Sequence, residues 1–186
     1  MYYYGQVCLW EKRIRGRESG MIILGIDPGL AIVGYGVIEY KNGRFRTLAY
    51  GAITTPAHTA VEKRLNLIYR DLTALIKRYK PDEMAVEELF FTNNITTGIS
   101  VAEARGVILL CAEQNGLAVS EYTPLQVKQS VVGYGKAEKK QVIMMVQTIL
   151  GLEKKPKLDD TADALAIAIC HAHTGGSSLK RFYNLK

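Results

Sequence analysis

A chain of 186 residues, 48% apolar and 23% charged, holds enough material for one well-buried domain and has the composition of neither a disordered nor a fibrous sequence. The net charge of +6 is unevenly placed: residues 1–20 carry +2, residues 175–186 carry +3 and the body between them only +1, yet inside that body residues 128–157 hold seven Lys against two Glu. That local basic patch suits a polyanionic partner or a solvated Lys-rich face equally, and no apolar run approaches the roughly 18 residues that a membrane-spanning helix requires.

The first twenty residues place Tyr2, Tyr3 and Tyr4 ahead of their charges, the reverse of a signal peptide. They read as an extension outside the fold. Residues 21–174 read as a single domain and 175–186 as a basic, flexible tail. Cys8, Cys111 and Cys170 are odd in number, far apart and free of any CxxC spacing. They argue against a disulfide framework or a zinc site and suit a reducing cytoplasm.

Residues 21–27, "MIILGID", predict a strand buried on both faces. "VGYGVIEY" and "RFRTLAYGAI" predict two further strands, joined at Asn42–Gly43 by a strong hairpin signal. Thr59 and Glu62 have capping-box spacing ahead of a helix whose apolar positions are Val61, Leu65, Ile68, Leu72, Leu75 and Ile76. "EMAVEELFF" (83–91) predicts a fourth strand, about 98–115 a second helix, and "LAVSEY" (117–122) a fifth strand. Helices over 124–132, 137–150 and 160–173 complete the chain, with Gly151 ending the middle one. The order predicts an α/β fold: an antiparallel meander, then crossover-linked parallel strands, in a mixed five-stranded sheet with helices on both faces.

Four acids stand out on this frame. Asp27 ends an apolar strand before Pro28–Gly29, where a lone charge is costly unless paired or metal-bound. Glu87 lies within the fourth strand, and Asp160 and Asp163 share one face at the start of the last helix. If the first and fourth strands are neighbours, Asp27 and Glu87 point the same way near their carboxyl ends, where open α/β sheets bind ligands. Four clustered carboxylates without a cation would force one another to protonate. Mg²⁺ or Mn²⁺ reverses that sign, and two such ions can drive phosphodiester hydrolysis. Three of the acids also have a plainer reading, Asp27 as a turn former and Asp160 and Asp163 as partners of the helix dipole, whereas Glu87 inside a strand has few structural excuses. Glu88 reads as solvent-facing. His58, His171 and His173 read as loop, core or surface rather than ligands, and Gly34–Gly36 and Gly133–Gly135 as weak motifs.

The stretches "ILGIDPGLAIVGYGVI", "RLNLIYRDL", "AVEELFFTNN", "EARGV", "VKQSVVGYGKAEKKQV" and "DDTADALAIAICH" follow one another in this order. In that order they resemble the RuvC Holliday junction resolvases across nearly all of 21–173. The resemblance implies an RNase H-like fold. It also implies metal-binding acids at Asp27, Glu87, Asp160 and Asp163, the third position varying in the family, with Asp159 as its rival here. An aromatic wedge at opened bases falls on Phe90, and basic positions near the DNA backbone fall on Lys128 and Lys139. The implied activity is metal-dependent cleavage of four-way junctions by paired symmetric nicks that leave 5′-phosphate ends, in recombination and repair. A homodimer, two Mg²⁺ per site with Mn²⁺ able to substitute, and a RuvA–RuvB branch-migration partner are implied with it. The rivals are an RNase H-like nuclease for hybrids or flaps, a non-catalytic junction-binding module, and an actin-like phosphate-binding domain, for which 186 residues leave no second lobe.

Overall fold

The computed structural model describes residues 20–88 and 95–175. The meander predicted from the sequence forms from β1 (Met21–Asp27), β2 (Ile32–Lys41) and β3 (Arg44–Thr54), each antiparallel to the next. Asn42 and Gly43 at the turn have φ of 51° and 77°, the positive values that a two-residue hairpin of this twist demands. α1 (Val61–Tyr79) then carries the chain to β4 (Glu83–Glu87), and α2 (Ile95–Gln114) carries it to β5 (Ala118–Tyr122). α3 (Pro124–Val132), α4 (Lys139–Leu150) and α5 (Asp159–Gly175) follow. The sheet order is β3-β2-β1-β4-β5, with β1, β4 and β5 parallel to one another.

Strand alternation divides the core in two. Leu24 and Ile26 of β1 and Met84 and Val86 of β4 pack with Ile68, Leu72 and Ile76 of α1 and Ile108 of α2. Ile23 and Ala85 face the other way, onto α3, α4 and α5. The α5 side is built for close approach. A Cβ at Gly25 would lie 2.2 Å from the Ala164 carbonyl oxygen, and one at Gly34 would lie 2.0 Å from that of Asp160. Buried Ala164 and Ala168 complete a small-on-small contact, so the helix lies nearer the sheet than larger side chains would allow. Gly34 and Gly36, weak as motifs, act here as clearance for α5.

Three expectations are corrected. The capping box at Thr59 is not formed: His58 takes φ 58° and Ala60 becomes the N-cap without a side-chain bond. The turn displaces the helix start by one residue, so Glu62 no longer sits three residues beyond the cap. β4 stops at Glu87 rather than running to 91, which places Glu87 at a strand end like Asp27 instead of inside the strand. Capping boxes do occur at Thr123–Gln126 and Glu138–Gln141, and the second shortens the predicted 137–150 helix to begin at Lys139. The extension over 1–19 and the tail over 176–186 lie outside the described residues.

Candidate active site

Asp27 is the last residue of β1, and Ile26 is paired in parallel with Val86. One step further along both strands come Asp27 and Glu87. By alternation both share the face of Ile23 and Ala85, the face that α5 covers. α5 delivers Asp160 and Asp163 to the same place. Its first turn is seated on the sheet by Gly34, the antiparallel partner of Asp27, whose absent Cβ leaves room for the Asp160 backbone. The sequence brings together β1, β4 and α5 through their apolar lengths, and each carries an acid at this end.

The electrostatics record the crowding. Burial, then the neighbouring Glu87, Asp163 and Asp160, push the Asp27 carboxyl from 3.8 up to about 8, with Lys139 opposing. Burial and then Asp163 raise Glu87, and a hydrogen bond with Asp27 and the charge of Lys139 hold it back. Burial also raises Asp163, against the pull of Lys139. Without a cation, Asp27 keeps its proton near neutrality and shares it with Glu87. Asp160 acts on both Asp27 and Asp163. Asp159 acts on Asp163 and Lys139.

Lys139 opens α4 with Nζ 3.0 Å from Asp163 Oδ2 and 3.4 Å from Asp159 Oδ2. Burial disfavours its charge, but the bonds to these acids outweigh that and raise its pKa. Lys128 lies half-exposed on α3. Phe90 lies outside the described residues. The donor set of four carboxylates is all oxygen, which fits a hard divalent cation, and the raised carboxyls are the groups a cation would relieve. Among the described residues no three of the acidic side chains already converge as a cage; Asp163 is turned to Lys139 instead.

Two polar networks, one beside the site and one at the opposite end of β4, were not foreseen from sequence. Thr55 Oγ1 donates to the Leu30 carbonyl at 2.6 Å and accepts from Arg64 Nε at 2.8 Å. His171, fully buried on α5, stands 2.8 Å from Glu83 Oε2 and 2.8 Å from the Tyr122 hydroxyl. His171 therefore has the core role read from the sequence, and His173 is exposed with Nδ1 3.0 Å from Ser130 Oγ. The sequence signals for the second network were Glu83 at the head of β4 and a histidine in an Ala-rich helix.

Residues 23–171 match the family model described as crossover junction endodeoxyribonuclease RuvC. The chain is 60% identical over 154 residues to the crossover junction endodeoxyribonuclease RuvC of Clostridioides difficile, covering 83% of this chain and 91% of that one. Its counterpart in Heliobacterium modesticaldum is likewise 60% identical, covering 83% and 95%. Among solved structures, T. thermophilus RuvC in complex with Holliday junction substrate superimposes with a TM-score of 0.78 at 37% identity, covering 82% of this chain and 93% of that one.

Proposed function

The chain belongs to the RuvC family of crossover junction endodeoxyribonucleases, and from that premise we propose that Asp27, Glu87, Asp160 and Asp163 are its catalytic metal ligands and Lys139 its catalytic cation. The protein is an RNase H-like endonuclease that resolves four-way DNA junctions in recombination and repair. The observation that carries the site assignment is the meeting of two parallel strand ends and one helix start at four carboxyls, one of them held protonated to about pH 8.

Divalent cations, with Mg²⁺ or Mn²⁺ the hard ions of suitable kind, would supply an activated water and stabilise the leaving oxygen when bound by these acids. The chain's own residues set the conditions. Asp27 and Glu87 directly follow the paired residues Ile26 and Val86 of neighbouring strands, so the ladder sets the spacing of their backbones. Lys139, held by Asp163, places a positive charge at the rim of an otherwise anionic site, where a scissile phosphate would meet repulsion. Asp160 is favoured over Asp159 for the third position because it acts on Asp27 directly. Lys128 lies on α3, within the basic stretch 128–157, and fits a contact to the DNA backbone away from the carboxyls. Phe90, three residues beyond Glu87 in sequence, is assigned the wedge at opened bases on the strength of the family resemblance alone.

Paired, symmetric nicks leaving ligatable 5′-phosphates call for two sites facing two strands, hence a homodimer. α2 supports one, since Ile99 and Leu110 are each more than half exposed on it. Branch migration by a RuvA–RuvB complex is the expected partner activity. No helix among the described residues is long and apolar enough to cross a membrane, and Cys111 and Cys170 are buried and unbridged, which suits work on DNA in the cytoplasm.

The test is cleavage of a mobile synthetic four-way junction with Mg²⁺ or with EDTA, beside a linear duplex and an RNA–DNA hybrid of the same sequence. Paired ligatable nicks on the junction alone, and only with metal, are expected. Cutting of the hybrid instead would move the assignment to another RNase H-like activity, and tight binding without cutting would strip the carboxyls of their catalytic role.

A further inference from the structure

A cleft of about 440 Å³ opens over the end of the sheet beside the carboxyl cluster, between Gly29–Ile32, Arg64, Ser100 and Asp160. We propose that this cleft is a subsite for a backbone phosphate of the DNA strand adjoining the scissile one, with Arg64 as its fixed cation. The inference rests on the nuclease reading above and adds a contact which that reading does not contain.

Arg64 is placed unlike a surface arginine. Its Nε donates to Thr55 Oγ1 at 2.8 Å, Thr55 Oγ1 donates to the Leu30 carbonyl at 2.6 Å, and Thr55 N donates to the Ala31 carbonyl at 3.0 Å. Thr55 itself is buried. The guanidinium is thus tied through one side chain to the loop that directly follows Asp27. A guanidinium has five N–H donors, and the bond from Nε is the one it makes among the described residues. The two terminal nitrogens remain for a ligand, in the fork that suits a phosphate.

The charge balance of the site calls for such a cation. Lys139 is already bound to Asp163 and Asp159, and its charge offsets acids before it offsets DNA. Arg64 has no carboxylate within ion-pair distance among the described residues. Asp160 opens onto the cleft while Asp163 faces Lys139. A strand crossing the acids therefore meets one cation at Lys139 and a second, pre-positioned one at Arg64. Because the Thr55 bond already restricts the side chain, little rotamer freedom is left to lose on binding.

The competing explanation is that Arg64 only latches α1 to Thr55, just past the end of β3, and the two make different predictions. Junction affinity would be measured in EDTA as a function of salt for wild type, Arg64→Gln, Arg64→Lys and Thr55→Val, with cleavage in Mg²⁺ alongside. A phosphate subsite predicts that Arg64→Gln weakens binding roughly 3–10-fold and lowers the log–log salt slope by about 0.9. Arg64→Lys should keep the slope and lose part of the cutting rate. Thr55→Val, which breaks the latch and leaves the charge, should also keep the slope. An unchanged slope in Arg64→Gln, or a Thr55→Val protein that reproduces its whole deficit, overturns the subsite. Should Arg64→Gln melt before it can be assayed, loss of the slope in Arg64→Lys would overturn it equally. Wild type that neither binds nor cuts the junction would instead remove the nuclease reading itself.

Discussion

Replacing Asp27 by Asn exchanges a carboxyl that the metal-free fold keeps protonated for a neutral amide of the same shape. Between the ordinary value of 3.8 and the value of about 8 in the fold, the native chain holds a proton that the unfolded chain has released. Native stability therefore falls as pH rises through this window, by at most about 1.4 kcal/mol per pH unit, and levels off above pH 8. Over the whole window the ceiling is roughly 5–6 kcal/mol. The proton is shared with Glu87 and water reaches the rim of the cluster, so the part that Asn recovers is about 2–3 kcal/mol. In EDTA at pH 8 the variant should melt about 5–10 °C above wild type, and the gap should close towards pH 4. Mg²⁺ should raise the melting temperature of wild type more than that of the variant, and junction cleavage by the variant should be abolished while binding persists. Thermal melts by circular dichroism across pH, with and without Mg²⁺, read all of this. A variant that melts at or below wild type at pH 8, or a gap independent of pH, would refute the reasoning.

Other outcomes follow from the same geometry. Gly34→Ala sets a methyl against the Asp160 backbone and should cost about 1–3 kcal/mol while lowering cutting at least tenfold; a normal rate in a folded variant would show that α5 has room to move. Lys139→Ala should lower cutting and make the remainder less sensitive to salt, checked by initial rates over a salt series. Phe90→Ala should reduce the cutting rate more than junction affinity, measured on the same substrate by gel shift and by single-turnover cleavage. Leu110→Glu puts a charge on the exposed apolar face of α2 and should convert two-chain particles to one-chain particles in light scattering, with paired nicks replaced by single ones.

The strands and most helices were readable because their signals are local. An apolar run of six residues, an Asn-Gly turn and an i, i+3 pair of acids each identify their own element. The acids could even be placed together, since alternation fixes the face of Asp27 and Glu87 once β1 and β4 are neighbours. What was missed depends on elements meeting. Gly25 and Ala164 lie far apart in sequence, and nothing near either announces that a Cβ would not fit between them. Glu83 and His171 are equally remote, and each is ambiguous alone. The false capping box at Thr59 failed for a subtler reason: the positive φ of His58 shifts the helix start by one residue, and a pattern of residue types does not record a backbone angle.

Clustered carboxylates repel, and a loosely attached helix would relieve the repulsion by drawing its acids away. α5 cannot do so. Leu165, Ile167 and Ile169 are buried to within 1% of complete, each contributing about 1.5–3 kcal/mol of burial, and Ala164 and Asp160 are locked by contact with Gly25 and Gly34. The apolar length of the helix therefore holds its acidic end in place, and the carboxyls are raised first by burial and then by their neighbours' charges. On the proposed assignment a cation would relieve these carboxyls, and the helix–sheet contact that holds them together would then favour its capture alongside the ligands themselves. It follows that the sharpest losses of activity need not come from the acids. A single methyl at a strand glycine, far from any reacting atom in chemical type, acts on the same store of energy as removing a ligand.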